Sequence, residues 1–368
     1  MSTPRVIICC GSGGVGKTTT SAALAIHLAR EGRRVAVLTI DPAMRLADAL
    51  GIGSLGNTAK RVPLEGPGTL DAMMLDAKGT FDEVVGRWAS TTEARDRILR
   101  NHYYRYTSER LAGVHEYMAM ERLLQLSTSG AYDVVVLDTP PARHAIDFLA
   151  APDKMARLMD EGVMRWLTLP SSTGGWRMIE RGSEVLAKVL QSMLGEETIS
   201  DIAEFFSAFQ TLWDGFRERS VRVQGLLRDP TTTFLLVSTP SPSARADALD
   251  FLEVLKKGKM PFAGFLVNRC VPDLPVVPGT FPPCPADTDP DAYLRLCAEL
   301  RALPGLRAQL LQAQEEAIRA LIAGAPATAQ VWRLPDLEDH GDTRTSELDR
   351  LRVLARSLPG GEELGRNR

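Results

Sequence analysis

Little in this 368-residue sequence points toward a membrane, a nucleic acid or an oxidising compartment. No stretch of about 18 consecutive apolar residues occurs, so no membrane-spanning helix is expected. The first apolar run, Val6–Cys10, ends at a glycine and is too short for the core of a signal peptide. The formal net charge is only −3, which argues against a nucleic-acid binder working through bulk positive charge. Cysteine is sparse: Cys9, Cys10, Cys270, Cys284 and Cys297 make an odd count of five, with no CxxC pair. That pattern excludes a disulfide framework and the usual zinc clasp, and fits reduced thiols. These absences lead to the expectation of a soluble, cytoplasmic protein with no nucleic-acid partner and no direct membrane insertion.

The hydrophobic fraction of 44% is ample for a core. Val6–Cys10 is a continuous apolar run, as a strand covered on both faces requires. A helix is expected from about Thr18 to Glu31, with Gly32 at its C-terminal cap, followed by a strand over Arg34–Asp41. Further strands are read at Thr69–Leu75, Tyr132–Asp138, Thr233–Ser238, Phe262–Asn268 and Gln330–Leu334. Helices are read at Ala244–Lys256 and Ala292–Ala323, and through most of 80–127. Strands alternating with helices predict an α/β fold, a doubly wound, mostly parallel sheet. Residues 151–229 break the alternation. They are rich in Met and aromatics, including Met155, Met193, Phe209 and Phe216, and read as an inserted helical subdomain. The α/β core would then comprise 1–150 and 230–357, and the tail 358–368 is expected to be disordered.

Three constellations carry chemistry. The first is Gly11-Ser-Gly-Gly-Val-Gly-Lys-Thr18, a phosphate loop between a strand and a helix. Backbone amides of Gly13, Gly14, Val15, Gly16 and Lys17 would converge on phosphate oxygens. Lys17 adds charge, Thr18 is a Mg²⁺ ligand candidate, and Thr19 faces the α-phosphate side. The second is Thr39-Ile-Asp41-Pro-Ala43, at the carboxyl end of the second strand. Asp41 there is suited to orienting or deprotonating an attacking water, and equally to capping a helix. The third is Val134-Val-Val-Leu-Asp138, an apolar strand ending in a carboxylate suited to the metal shell. Arg143 and His144 follow as either γ-phosphate sensors or ordinary loop residues. These patterns suit a phosphate-bearing nucleotide and Mg²⁺. A smaller cluster, Arg95–Arg110 with His102 and three tyrosines, is diluted by Glu93, Asp96 and Glu109 and reads as a solvated helix face.

Gly13–Thr19, Asp41-Pro-Ala43, Gly113–Ala119 and Asp138-Thr-Pro-Pro-Ala-Arg-His144 together resemble the ArsA/GET3 family, over roughly Val6 to Asp339. The resemblance implies that the nucleotide is ATP, bound by a P-loop NTPase of the deviant Walker A class, with Asp41 in switch I and Asp138 in switch II. It implies that Val267-Asn268-Arg269 reads adenine and that the loop Leu334-Pro335-Asp336 covers the base. It also implies a dimer with nucleotide at the interface, and it adds weight to an apolar-helix client for the insertion. Relatives mostly carry a lysine where this chain has Ser12, and that lysine reaches the partner subunit's phosphates. Ser12 therefore points to slow hydrolysis in a homodimer, or to a hetero-oligomer with a lysine-bearing paralogue, unless Arg45 or Arg143 substitutes. An energising subunit for arsenite or anion efflux, a MinD/ParA-like positioning switch and a client-binding chaperone are the competing readings.

Overall fold

The first strand shows why the sheet forms where it does. Val6–Cys10 (β1) is buried along its whole length and pairs in parallel with a strand on either side. Its side chains alternate between two apolar layers: Ile8 and Cys10 join one core, Ile7 and Cys9 the other. The computed structural model describes residues 4–89, 91–101, 114–140, 149–151, 213–272, 280–336 and 347–365.

The remaining strands are β2 (Arg34–Thr39), β3 (Lys60–Val62), β4 (Thr69–Met74), β5 (Val134–Asp138), β6 (Thr232–Ser238), β7 (Phe262–Cys270) and β8 (Gln330–Pro335). They form one eight-stranded sheet in the order β3-β4-β2-β5-β1-β6-β7-β8. Every pairing is parallel except β3 with β4. The mostly parallel α/β fold read from the sequence is thus present. From β1 the chain moves outward to β2 on one side, whereas β6 lies on the other. The carboxyl end of β1 is therefore the switch point at which ligands of such sheets bind.

Helices cover both faces. One face carries α1 (Lys17–Arg30), α2 (Arg45–Leu50) and, near the C-terminus, α9 (Glu347–Ala355). The other carries α3 (Ala77–Trp88), α4 (Thr92–Arg100), α5 (Val114–Thr128), α6 (Trp213–Arg228) and α7 (Pro242–Gly258). A long α8 (Pro290–Gly324) follows and leads into β8.

Three findings refine the sequence reading. Strand β3 was not anticipated, because Lys60 and Arg61 are exposed and only Val62 is buried. Beyond Leu358, Gly361–Gly365 forms a short helix, α10. There Leu364 is buried and the Gly361 amide donates to Glu31 Oε2 at 3.0 Å. The last part of the 151–229 segment is α6, whose Phe216 packs against Phe81, Trp88 and Tyr117 at centroid distances of 5.2–5.8 Å. Phe216 thereby belongs to the core beside the sheet. Met155, Met193, Phe209 and the apolar stripe from Val185 to Leu194 lie outside the described residues.

Cys9 and Cys10 are fully buried, and burial pushes the Cys9 thiol up to about 12, so both fill the core. Cys270 and Cys297 are also buried while Cys284 is exposed, all as free thiols. Among the described residues no cluster of three His, Cys, Asp or Glu side chains is placed to hold a metal. No described helix is long and apolar enough to cross a membrane.

Candidate nucleotide site

The loop after β1 is shaped by close approaches that only glycine permits. A Cβ on Gly11 would lie 2.2 Å from the Val237 carbonyl oxygen of β6. Gly16 has φ 89°, in the left-handed region, and a Cβ there would lie 2.3 Å from Asn268 Nδ2. Gly16 is also the N-cap of α1, and no side chain caps the helix. The first turn, Lys17 to Thr20, contains no acidic residue. The helix itself therefore places no acidic cap on its first amides, as an anion site requires. Gly13 and Gly14 are exposed at the loop's tip, with Val15 anchored in the core beneath.

Lys17 is only 8% exposed, and its Nζ donates to the Ser12 main-chain carbonyl at 2.7 Å. Burial lowers its pKa, opposed by the charges of Asp138 and Asp41. Lys17 is thus held beside the loop by a neutral acceptor, an arrangement that a phosphate oxygen would improve on.

Asp138 closes β5 and is 1% exposed. Its Oδ2 accepts from Thr18 Oγ1 at 2.7 Å and from Thr39 Oγ1 at 3.0 Å. Its Oδ1 is buried with no hydrogen-bond partner. Burial pushes this carboxyl up to about 6, against the pull of the two hydroxyls and Lys17. An open carboxylate oxygen beside a threonine hydroxyl offers the hard oxygen donors that a divalent cation uses. The residues present therefore fit Mg²⁺, with Thr18 and Asp138 as its protein-side partners.

Asp41 stands at the end of β2, half-buried. Its Oδ1 accepts from the Ala43 amide at 3.0 Å, an Asx turn, and its Oδ2 pairs with Arg45 at 3.3 Å. The helix-cap reading is corrected in detail: α2 starts at Arg45 with Met44 as N-cap and no side-chain cap. Thr39 links the two aspartates, because its hydroxyl donates to the Asp138 carboxylate and accepts from the Asp41 main-chain amide at 3.3 Å. Sequence reasoning gave Thr39 no role, nor Thr139, whose hydroxyl donates to the Cys9 carbonyl at 2.8 Å and fixes the start of the loop after β5. A hydroxyl closing apolar β2, and another directly after the aspartate that ends β5, were the signals available.

Asn268 lies near the end of β7, 7% exposed, and its Nδ2 donates to the Val15 carbonyl at 3.0 Å. The following Arg269 is exposed with φ 57°, where the ladder with β8 is irregular. Pro335 ends β8 opposite Cys270, and the Asp336 amide donates to the Cys270 carbonyl at 2.8 Å. Lys17, Thr18, Thr19, Asp41, Asp138, Asn268, Arg269 and Pro335 thus all occupy the carboxyl edge of the sheet or the loops leaving it. Arg143 and His144 lie outside the described residues.

Comparison with known proteins places the chain in a family. The chain is 30% identical over 232 residues to "ATPase GET3" of Malassezia globosa, covering 63% of this chain and 62% of that one. It is 32% identical over 209 residues to "ATPase get3" of Aspergillus terreus, covering 55% and 61%. With "ATPase get3" of Pyrenophora tritici-repentis it shares 29% identity over 272 residues, 73% of this chain and 74% of the relative. The first two matches thus span about three-fifths of those relatives. The family model described as anion-transporting ATPase, ArsA_ATPase, matches residues 4–277, so the chain belongs to that P-loop ATPase family.

Proposed function

We propose that this protein is a Mg²⁺-dependent ATPase that acts as a nucleotide-gated dimer and couples its nucleotide state to the segment 151–229. The observation that carries the reading is Asp138: buried, bonded to Thr18 and Thr39, and keeping one oxygen without a partner. That oxygen has no purpose in a merely structural loop, where a buried open acceptor is destabilising.

The amides of Gly13 to Lys17 would hold the β- and γ-phosphates, with Thr19 toward the α-phosphate. Lys17 would exchange the Ser12 carbonyl for a phosphate oxygen and neutralise charge there. Bound Mg²⁺ supplies charge stabilisation of the transferring phosphoryl group. Asp41 would orient the attacking water and accept its proton as the new P–O bond forms and the bridging P–O bond breaks, releasing ADP and phosphate. Its Asx turn holds the carboxylate in place, and Arg45 must release Oδ2 for that role. Asn268, Arg269 and Pro335 would line the base side.

The partner is a second copy or a lysine-bearing paralogue, since Ser12 carries no charge to a neighbouring active site. An apolar helix is the client class that the Met-rich composition of 151–229 suits. Phosphate release by the purified full chain tests the reading. It should require both ATP and Mg²⁺ and vanish in Lys17→Ala; activity retained in that variant would overturn it.

A further inference from the structure

A cavity with three arginines in its lining lies on the α3–α5–α6 face, away from the phosphate loop. Its volume is about 350 Å³, and Arg87 of α3, Arg122 and Gln125 of α5, and Arg219 of α6 line it, with Thr128 and Ser129 at its edge. Because α5 runs into the amino end of β5, Thr128 and Ser129 lie at the opposite edge of the sheet from Asp138.

The three guanidinium groups exceed the carboxylates that meet them. Glu121, wholly buried, accepts from Arg219 Nε at 3.0 Å and from a second nitrogen of the same guanidinium. Glu83 reaches Arg122 only at 3.4 Å. Arg87 meets no carboxylate among the described residues. Arg122 is 17% exposed along its side chain; it donates to the Asn57 carbonyl at 2.6 Å and to Gln125 Oε1 at 3.1 Å, while its Nε has no partner. Capping of α5 does not explain the arginines. Its last carbonyls are taken by hydroxyls: Ser127 and Thr128 donate to Leu124, and Ser129 to Leu126.

We propose that this cavity binds a small phosphate-bearing anion, held by Arg87 and Arg122 and flanked by Arg219. Forked guanidinium donors match phosphoryl oxygens in pairs, and the cavity falls within the size range of small-ligand sites. Glu121 keeps Arg219 fixed in orientation, and Arg219 sits on α6, the first helix described after residue 151. A ligand here ties α3, α5 and α6 together.

Calorimetric titration of the full chain with inorganic pyrophosphate at constant ionic strength tests the site. Two molecules per chain are expected for the unsubstituted protein, one each for Lys17→Ala and for Arg87→Ala/Arg122→Gln, and none for the combination. In the Lys17→Ala background, Arg87→Ala alone, an exposed position at a helix end, should weaken binding about tenfold or more. Arg87→Ala should leave ATP turnover unchanged. The proposal is overturned if Lys17→Ala binds no pyrophosphate, or binds it equally well with and without Arg87.

Discussion

The Asn268 side-chain amide donates to the main-chain carbonyl of Val15, 253 positions away in the chain, at 3.0 Å. The residue expected to read adenine is therefore also a brace for the phosphate loop. It lies so close to Gly16 that no side chain fits between them. Asn268→Ala should then weaken pyrophosphate, a ligand with no base, about tenfold at the phosphate loop, as well as ATP. Displacement of a fluorescent ATP analogue by pyrophosphate measures this. An unchanged pyrophosphate affinity would leave Asn268 with a base-reading role alone.

Asp138 makes stability depend on pH. Its folded-state pKa of about 6 lies above the ordinary 3.8, so the native state holds a proton that the unfolded chain releases. Stability from this group is fully present below about pH 3.8 and is lost as pH rises through about 6, a loss on the order of 3 kcal/mol. Without divalent cations, Asp138→Asn should therefore melt above the unsubstituted protein at pH 7, the gain vanishing near pH 4. Mg²⁺ should raise the melting temperature of the unsubstituted protein only, and less so below pH 6. Thermal unfolding across pH with and without Mg²⁺ reads both effects.

Ser12 supplies a carbonyl to Lys17 but no charge of its own. If a second copy completes the site, Ser12→Lys should raise turnover about tenfold or more, by the logic of an added transition-state cation. The gain should grow with protein concentration. Steady-state ATPase assays over a concentration series check it.

The C-terminal helix α10 contributes to the core. Leu364→Ala removes a side chain only 1% exposed and should lower stability by about 2–3 kcal/mol in chemical denaturation. A substitution without effect would restore the picture of a loose tail.

The parts of the fold legible in the sequence are those in which the signal is local. Val6–Cys10, Val134–Leu137 and Phe234–Val237 are continuous apolar runs because both faces of a parallel strand are covered. The phosphate loop is legible because its glycines, lysine and threonine are contiguous. What escaped is non-local or weakly apolar. Thr39 meets Asp138 across two adjacent strands, 99 positions apart, and Asn268 meets Val15 across the sheet edge. Strand β3 carries one buried residue in three. The short helix at Gly361–Gly365 has a single leucine and two glutamates, so only its packing reveals it.

The central claim is that Asp41 acts on the attacking water while other groups bind the nucleotide. ATP binding and phosphate release, measured side by side for the unsubstituted chain and Asp41→Asn, test it most directly. The account predicts equal ATP affinity and a fall in turnover of about a hundredfold or more in the variant. Hydrolysis by Asp41→Asn at the unsubstituted rate would contradict it.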